Sequence, residues 1–196
     1  MERVEINALY QDAKAFDGKE ILVRGWVRTH RNSNKFGFIE LNDGSCFKNV
    51  QVVYEEGKTE GFDGLKKITT ASALSVSGVL ELTPQAKQPF EIKARVVEIE
   101  GLADADYPLQ KKRHTFEYLR EIAHLRPRSN TFSAVFRVRS LVAYAIHRFF
   151  QERGFVYFHA PLITGSDCEG AGDMFRVTTL DPANPSKTPQ GEVDFS

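Results

Sequence analysis

Five β-rich segments, separated by turn signals, fill the first hundred residues, and no other feature of the chain restricts its fold as much. Residues 20–28 (EILVRGWVR), 36–41 (FGFIEL), 50–54 (VQVVY), Ala73–Leu82 and 90–99 (FEIKARVVEI) are rich in β-branched and aromatic side chains, which fit a pleated, half-buried surface. Residues Ala73–Leu82 alternate with period two, the mark of a strand with one face turned inward. Asn42-Asp43-Gly44 reads as a hairpin turn between the second and third segments. A short helix is predicted over 4–15, ended by Asp17-Gly18, and another over 61–68, between the third and fourth strands.

Five strands with a helix between the third and fourth is the element order of the OB-fold, a small closed Greek-key barrel. The expected fold is therefore an all-β OB barrel over residues 1–102, followed by something different. Residues 103–129 are polar, contain Pro108 and the run Lys111-Lys112-Arg113, and read as a linker or hinge, with a helix over 116–125 that Pro127 stops. Asn130 is a natural N-cap for an amphipathic helix over 131–153. Its Phe132, Val135, Phe136, Val142, Ile146 and Phe149 recur at three- and four-residue spacing, and Gly154 ends it. A strand carrying Pro161 is expected over 155–163, then loops with one short strand near 175–178. Residues 130–196 thus read as the start of a second domain, of α+β type.

The 26 basic and 26 acidic residues give zero net charge, which excludes a uniformly basic coat protein and an acidic tail protein. The zero is a cancellation: residues 103–153 carry net +5 and residues 154–196 net −4. Such asymmetry points to a polyanionic partner. The two cysteines, Cys46 and Cys168, form neither a CxxC nor a Cys/His metal spacing, so no metal site and a reducing, cytoplasmic setting are expected. The N-terminus does not have the pattern of a signal peptide, and no apolar run approaches the length of a membrane span.

Arg24, Arg28, His30, Arg31 and Lys35 fall in a stretch free of acids and lead into Phe36 and Phe38. A basic loop entering aromatics on a barrel face suits single-stranded nucleic acid, with cations on phosphates and rings stacked on bases. A solvated loop beside two core phenylalanines is the plainer reading of the same residues. The Gly- and acid-rich run 165–174 (GSDCEGAGDM) suits a loop closing on an amino group, or an ordinary connector; it lacks phosphate-loop spacing. His147 reads as a packed helical residue. His114 and His124 lie beside Lys and Arg residues that could meet RNA phosphate. Neither cysteine has a base partner, and no Ser-His-Asp arrangement is present, so no catalytic residue is expected.

The order GKEILVRGWVRTHRNSNKFGFIELNDG, then VQVV, then FEI resembles the anticodon-binding barrel of the class IIb aminoacyl-tRNA synthetases, which act on aspartate, asparagine and lysine. The run YPLQKKRHTFEYLREIAHLRPRSNTF and the later FFQERGFVYFHAPLITGSDCEGAGDMF are similar to the bacterial asparaginyl branch of that family. The resemblance implies that Phe38 stacks on the central anticodon base, that Gln51 pairs with it, that Glu91 reads the first base, and that Arg31 contacts the anticodon stem-loop. It implies that Glu169 and Ser166, in a loop with Asp167, hold the amino acid, and that Pro161 lies in the first class II motif, at a homodimer interface. It implies tRNA-Asn, asparagine and ATP as partners, with Mg2+, and no membrane.

The second and third class II motifs, whose arginines grip ATP, are not found in these 196 residues. The chain therefore reads as an N-terminal portion of an asparagine–tRNA ligase, inactive by itself. A free-standing OB-type RNA-binding module and an aspartyl-type or amide-forming paralogue are the alternatives.

Overall fold

The structure is a computed structural model that describes residues 2–159, 161–163, 165, 177, 179–181 and 183–194. It divides into two compact units, Met1–Arg139 and Ser140–Ser196.

In the first unit, β1 (Glu20–Asn32), β2 (Phe36–Asn42), β3 (Val50–Glu55), β4 (Ala73–Leu82) and β5 (Phe90–Gly101) close into a barrel in the order β1-β2-β3-β5-β4. Every neighbouring pair is antiparallel except β3 and β5, which close the barrel in parallel with Val52 opposite Ile92. Inward positions alternate with outward ones, so Val23, Ile39, Leu41, Val52, Leu80 and Ile92 are fully buried. Each such side chain contributes about 1.5–3 kcal/mol of burial. The helix α1 (Ile6–Gln11) adds Ile6 and Leu9 to the same core.

The segment expected to be a tight hairpin at Asn42-Asp43-Gly44 is a longer loop, because β3 begins only at Val50. Its turn residues have other partners. The Asn42 side-chain amide donates to the Cys46 and Lys48 carbonyls and accepts from Gly44 N–H. Asp43 accepts from Ile6 N–H at 2.9 Å, and Ser45 Oγ accepts from Asn7 N–H at 3.0 Å. The loop therefore caps the start of α1, where Glu5 makes no side-chain cap. The helix predicted over 4–15 is in turn split into α1 and a 3-10 turn at Ala13–Phe16, and that predicted over 61–68 is a 3-10 turn, Phe62–Lys67.

Beyond the barrel come α2 (Phe116–Glu121), a 3-10 turn at Arg126–Arg128, and α3 (Asn130–Gln151). Ser129 rather than Asn130 is placed to cap α3, its hydroxyl 3.4 Å from Phe132 N–H. None of the residues of α3 is buried; Val138, Leu141, Val142 and Ile146 are more than half exposed. Residues 155–159 and 161–163 form no strand, contrary to the sequence expectation. A strand requires a ladder partner, and among the described residues none pairs with this segment; Val156, Phe158 and Leu162 are almost wholly exposed. The strand expected near 175–178 lies outside the described residues, apart from Val177.

Candidate nucleic-acid interface

The outward face of β2, β3 and β5 carries the side chains singled out above. On β2 the inward residues are Gly37, Ile39 and Leu41, which leaves Phe36, Phe38 and Glu40 facing out. The Phe36 and Phe38 rings meet edge to face at 5.5 Å, and Phe36 is 45% exposed. Neither ring lies in the core, which removes the reading of two core phenylalanines. Across the β2–β3 ladder Phe38 faces Val53 and Glu40 faces Gln51; across β3–β5 Val53 faces Lys93. A shallow cleft of about 660 Å³ runs over this surface, lined by Lys35, Phe36, Phe38, Val53, Glu91 and Lys93 among others.

Two polar side chains of the cleft, Glu91 and Lys93, are joined to each other and to Gln51 of β3. Gln51 Nε2 donates to Glu91 Oε2 at 3.1 Å, and Lys93 Nζ donates to Glu91 Oε1 at 2.6 Å. Glu91 is only 15% exposed and Lys93 35%. A ring stacked on Phe38 would bring a base edge toward Gln51, which lies diagonally across the ladder on the same face.

Arg31 joins this surface through an irregularity in β1. The β1–β2 register shifts between Val27 and Thr29, so Arg31 falls opposite Phe38. Its guanidinium makes no hydrogen bond or ion pair among the described residues. The other basic residues of that stretch go elsewhere. Arg24 donates to Ser75 Oγ. Arg28 donates to the Arg128 carbonyl at 2.9 Å and to Asn130 Oδ1 at 3.2 Å. His30 turns inward, with Nε2 2.6 Å from Tyr54 Oη and Nδ1 2.9 Å from the Ile68 carbonyl. Because that carbonyl can only accept, Nδ1 carries a proton, and in the neutral ring Nε2 accepts from Tyr54. Burial pushes the Tyr54 hydroxyl above its ordinary pKa. Lys35 alone lies with Arg31 near the rings, so the sequence stretch is not one basic patch.

The same network explains Gly37. A Cβ there would sit 2.2 Å from the Tyr54 ring, so the strand can pass this buried tyrosine only without a side chain.

A second cleft in the first unit, about 1190 Å³, is lined by Trp26, Arg28, Lys111, Lys112, Arg113 and Arg128 among others. Arg128 lies over the Trp26 ring at 5.0 Å. None of these five cations is ion-paired with a carboxylate among the described residues. Sequence reading noted the Lys111–Arg113 run but not its convergence with Arg28 and Arg128, which depends on the turn at Arg126–Arg128. His114 stacks on Tyr118 at 5.4 Å, and its Nε2 is 3.2 Å from the Pro108 carbonyl.

Of the remaining candidates, Ser166, Asp167, Cys168 and Glu169 lie outside the described residues. Pro161 is exposed. His147 meets Tyr157 edge to face at 4.7 Å, but it is exposed rather than packed, because no residue of α3 is buried. Among the described residues no group of three or more His, Cys, Asp or Glu side chains could hold a metal ion, and no helix is long and apolar enough to cross a membrane.

Residues 21–100 match the family described as OB-fold nucleic acid binding domain, and residues 115–185 match tRNA synthetases class II (D, K and N). The asparagine–tRNA ligase of Alkaliphilus oremlandii is 64% identical over 196 residues, covering 100% of this chain and 42% of the relative. That of Clostridium novyi is 64% identical over 195 residues, with the same coverage. The chain thus spans less than half the length of these relatives. Among solved structures, asparaginyl-tRNA synthetase from Pyrococcus horikoshii, complexed with asparaginyl-adenylate, superposes with a TM-score of 0.79 at 22% identity, over 91% of this chain and 41% of that one. Aspartyl tRNA synthetase from Entamoeba histolytica gives 0.70 at 19%, over 82% and 39%. These two likenesses concern the fold alone, and the family matches divide the chain into an OB barrel and a segment matching class II tRNA synthetases.

Proposed function

We propose that the chain belongs to the class II tRNA synthetases of the aspartate, lysine and asparagine group and is the anticodon-reading N-terminal portion of an asparagine–tRNA ligase, a reading supported by the family matches and the relatives above. The whole enzyme, with Mg2+, would join the asparagine carboxylate to the α-phosphate of ATP as an adenylate, releasing pyrophosphate, and then pass the asparaginyl group to the terminal ribose of tRNA-Asn, releasing AMP. We assign residues 1–102 to the anticodon-binding barrel, 103–129 to a hinge, and 130–196 to the first part of the catalytic domain. Cytoplasmic location and a homodimer that includes Pro161 belong to the same reading, as does amino-acid binding by Glu169 and Ser166. No ligand of ATP or Mg2+ is assigned to these residues.

The observation that carries this reading is the surface formed by Arg31, Phe38, Gln51 and Glu91, which offers a ring, an amide, a carboxylate and a cation on adjacent strands. Unpaired RNA bases are recognised by stacking and by hydrogen bonds to their edges. Phe38 supplies the stack for the central base, Gln51 pairs with its edge, Glu91 accepts from the first base, and Arg31 meets phosphate. The test is binding of the 196-residue chain to a GUU anticodon stem-loop and to one with the central U replaced by C. Preference for GUU supports the assignment; equal binding contradicts it.

A further inference from the structure

We infer that Glu91 governs the central base through Gln51, by fixing which way the Gln51 amide points, and that Lys93 holds Glu91 in place to do so. The inference rests on the anticodon reading above and assigns Glu91 and Lys93 positioning roles within it.

A free glutamine amide does not distinguish uracil from cytosine. Uracil presents N3–H as donor beside a carbonyl acceptor, and cytosine presents N3 as acceptor beside an amino donor. Rotating the amide by half a turn matches either base. Discrimination therefore requires that one amide orientation be fixed beforehand.

The site supplies that restraint. An ionised carboxylate has only acceptors, so the Gln51 group 3.1 Å from Glu91 Oε2 must be the NH2. Turning the amide over would set carbonyl oxygen against carboxylate oxygen and lose the hydrogen bond. Gln51 Oε1 accepts no hydrogen bond among the described residues, and it is left to receive a donor from the base. The second N–H remains for the base carbonyl. This donor–acceptor order fits uracil and opposes cytosine. Glu91 is itself held from the other side, because Oε1 accepts from Lys93 at 2.6 Å. With one oxygen engaged by Gln51 of the neighbouring β3 and the other by Lys93 of its own strand, and with little exposure, the carboxylate is set before RNA arrives, the condition under which a polar contact gives selectivity at small cost in ordering.

The experiment titrates the 196-residue chain and its Glu91→Gln and Lys93→Met variants with stem-loops carrying central U or central C, by fluorescence anisotropy. The wild type should prefer U by about tenfold or more, the worth of one hydrogen-bond mismatch. In Glu91→Gln the new amide accepts either orientation of Gln51, so the U:C ratio should fall to within about threefold of one. Lys93→Met should lower the ratio by a smaller factor. A purely structural role for Glu91 would weaken both RNAs alike and leave the ratio unchanged, which would overturn the inference. If Glu91→Gln does not fold, an unchanged ratio in Lys93→Met overturns it. A wild type indifferent to U and C overturns the anticodon reading itself, a distinct result seen before any substitution.

Discussion

Arg31 of β1 stands opposite Phe38 of β2, and it does so only because the ladder shifts register between Val27 and Thr29. A strand without that irregularity would keep one parity along its length. The residues facing out before the shift are Arg24 and Trp26; after it the outward residue is Arg31, and His30 turns in to Tyr54. Bulges commonly re-aim a side chain at a functional edge. Here the effect is to place an unpaired cation beside a half-buried, outward-facing ring.

Phe38→Ala should weaken binding of a GUU stem-loop by about 1–3 kcal/mol, the worth of one base–aromatic stack. Its ring lies outside the core, so the thermal unfolding midpoint should move little. Titration and melting of the same variant separate the two effects.

Arg31→Met and Arg28→Met should behave differently. Arg31 has no partner to lose, so its removal should lower the slope of log affinity against log salt by about 0.7–1, the contribution of one phosphate contact. Arg28 donates to the Arg128 carbonyl and to Asn130, both neutral. Its removal should loosen the turn at Arg126–Arg128, seen as faster amide exchange there, with the salt slope less affected.

Asp43 should give the barrel an acid-sensitive limb. Burial pushes its carboxyl up, but the Ser45 hydroxyl, the Ile6 and Ser45 N–H groups and nearby Arg3 outweigh that and hold it below the ordinary carboxylate range. A group whose folded pKa is depressed adds stability above its unfolded value of about 3.9, and that stability is lost as pH falls through the folded pKa. Urea midpoints measured from neutral pH downward should therefore drop below about pH 4. In Asp43→Asn the midpoint should start lower at neutral pH and lose that part of the fall.

The barrel was legible in the sequence because local pattern and tertiary demand agree there. Ala73–Leu82 alternates cleanly and is a strand with those same ends. Where a side chain serves a distant element, local reading failed. Asp43 looked like a turn residue and instead caps α1, 37 positions earlier. Arg28 looked like part of a nucleic-acid patch and instead binds a turn 100 positions later. The outward setting of Phe38 follows from the inward residues on either side of it, Gly37 and Ile39, but Gly37 reads as inward only once Tyr54 is known to fill the space beside it. The strand over 155–163 was expected from composition alone, and composition cannot supply a ladder partner.

The most direct measurement is an amide chemical-shift map of the isotope-labelled chain as a GUU anticodon stem-loop is added. The account predicts that the largest shifts fall on Arg31, on Phe36–Phe38 of β2, on Gln51–Val53 of β3 and on Glu91–Lys93 of β5, and that a central-C stem-loop gives weaker shifts at Gln51. Shifts confined to the outward face of β1 and β4, around Arg24 and Ser75, or the same Gln51 response to both RNAs, would contradict it.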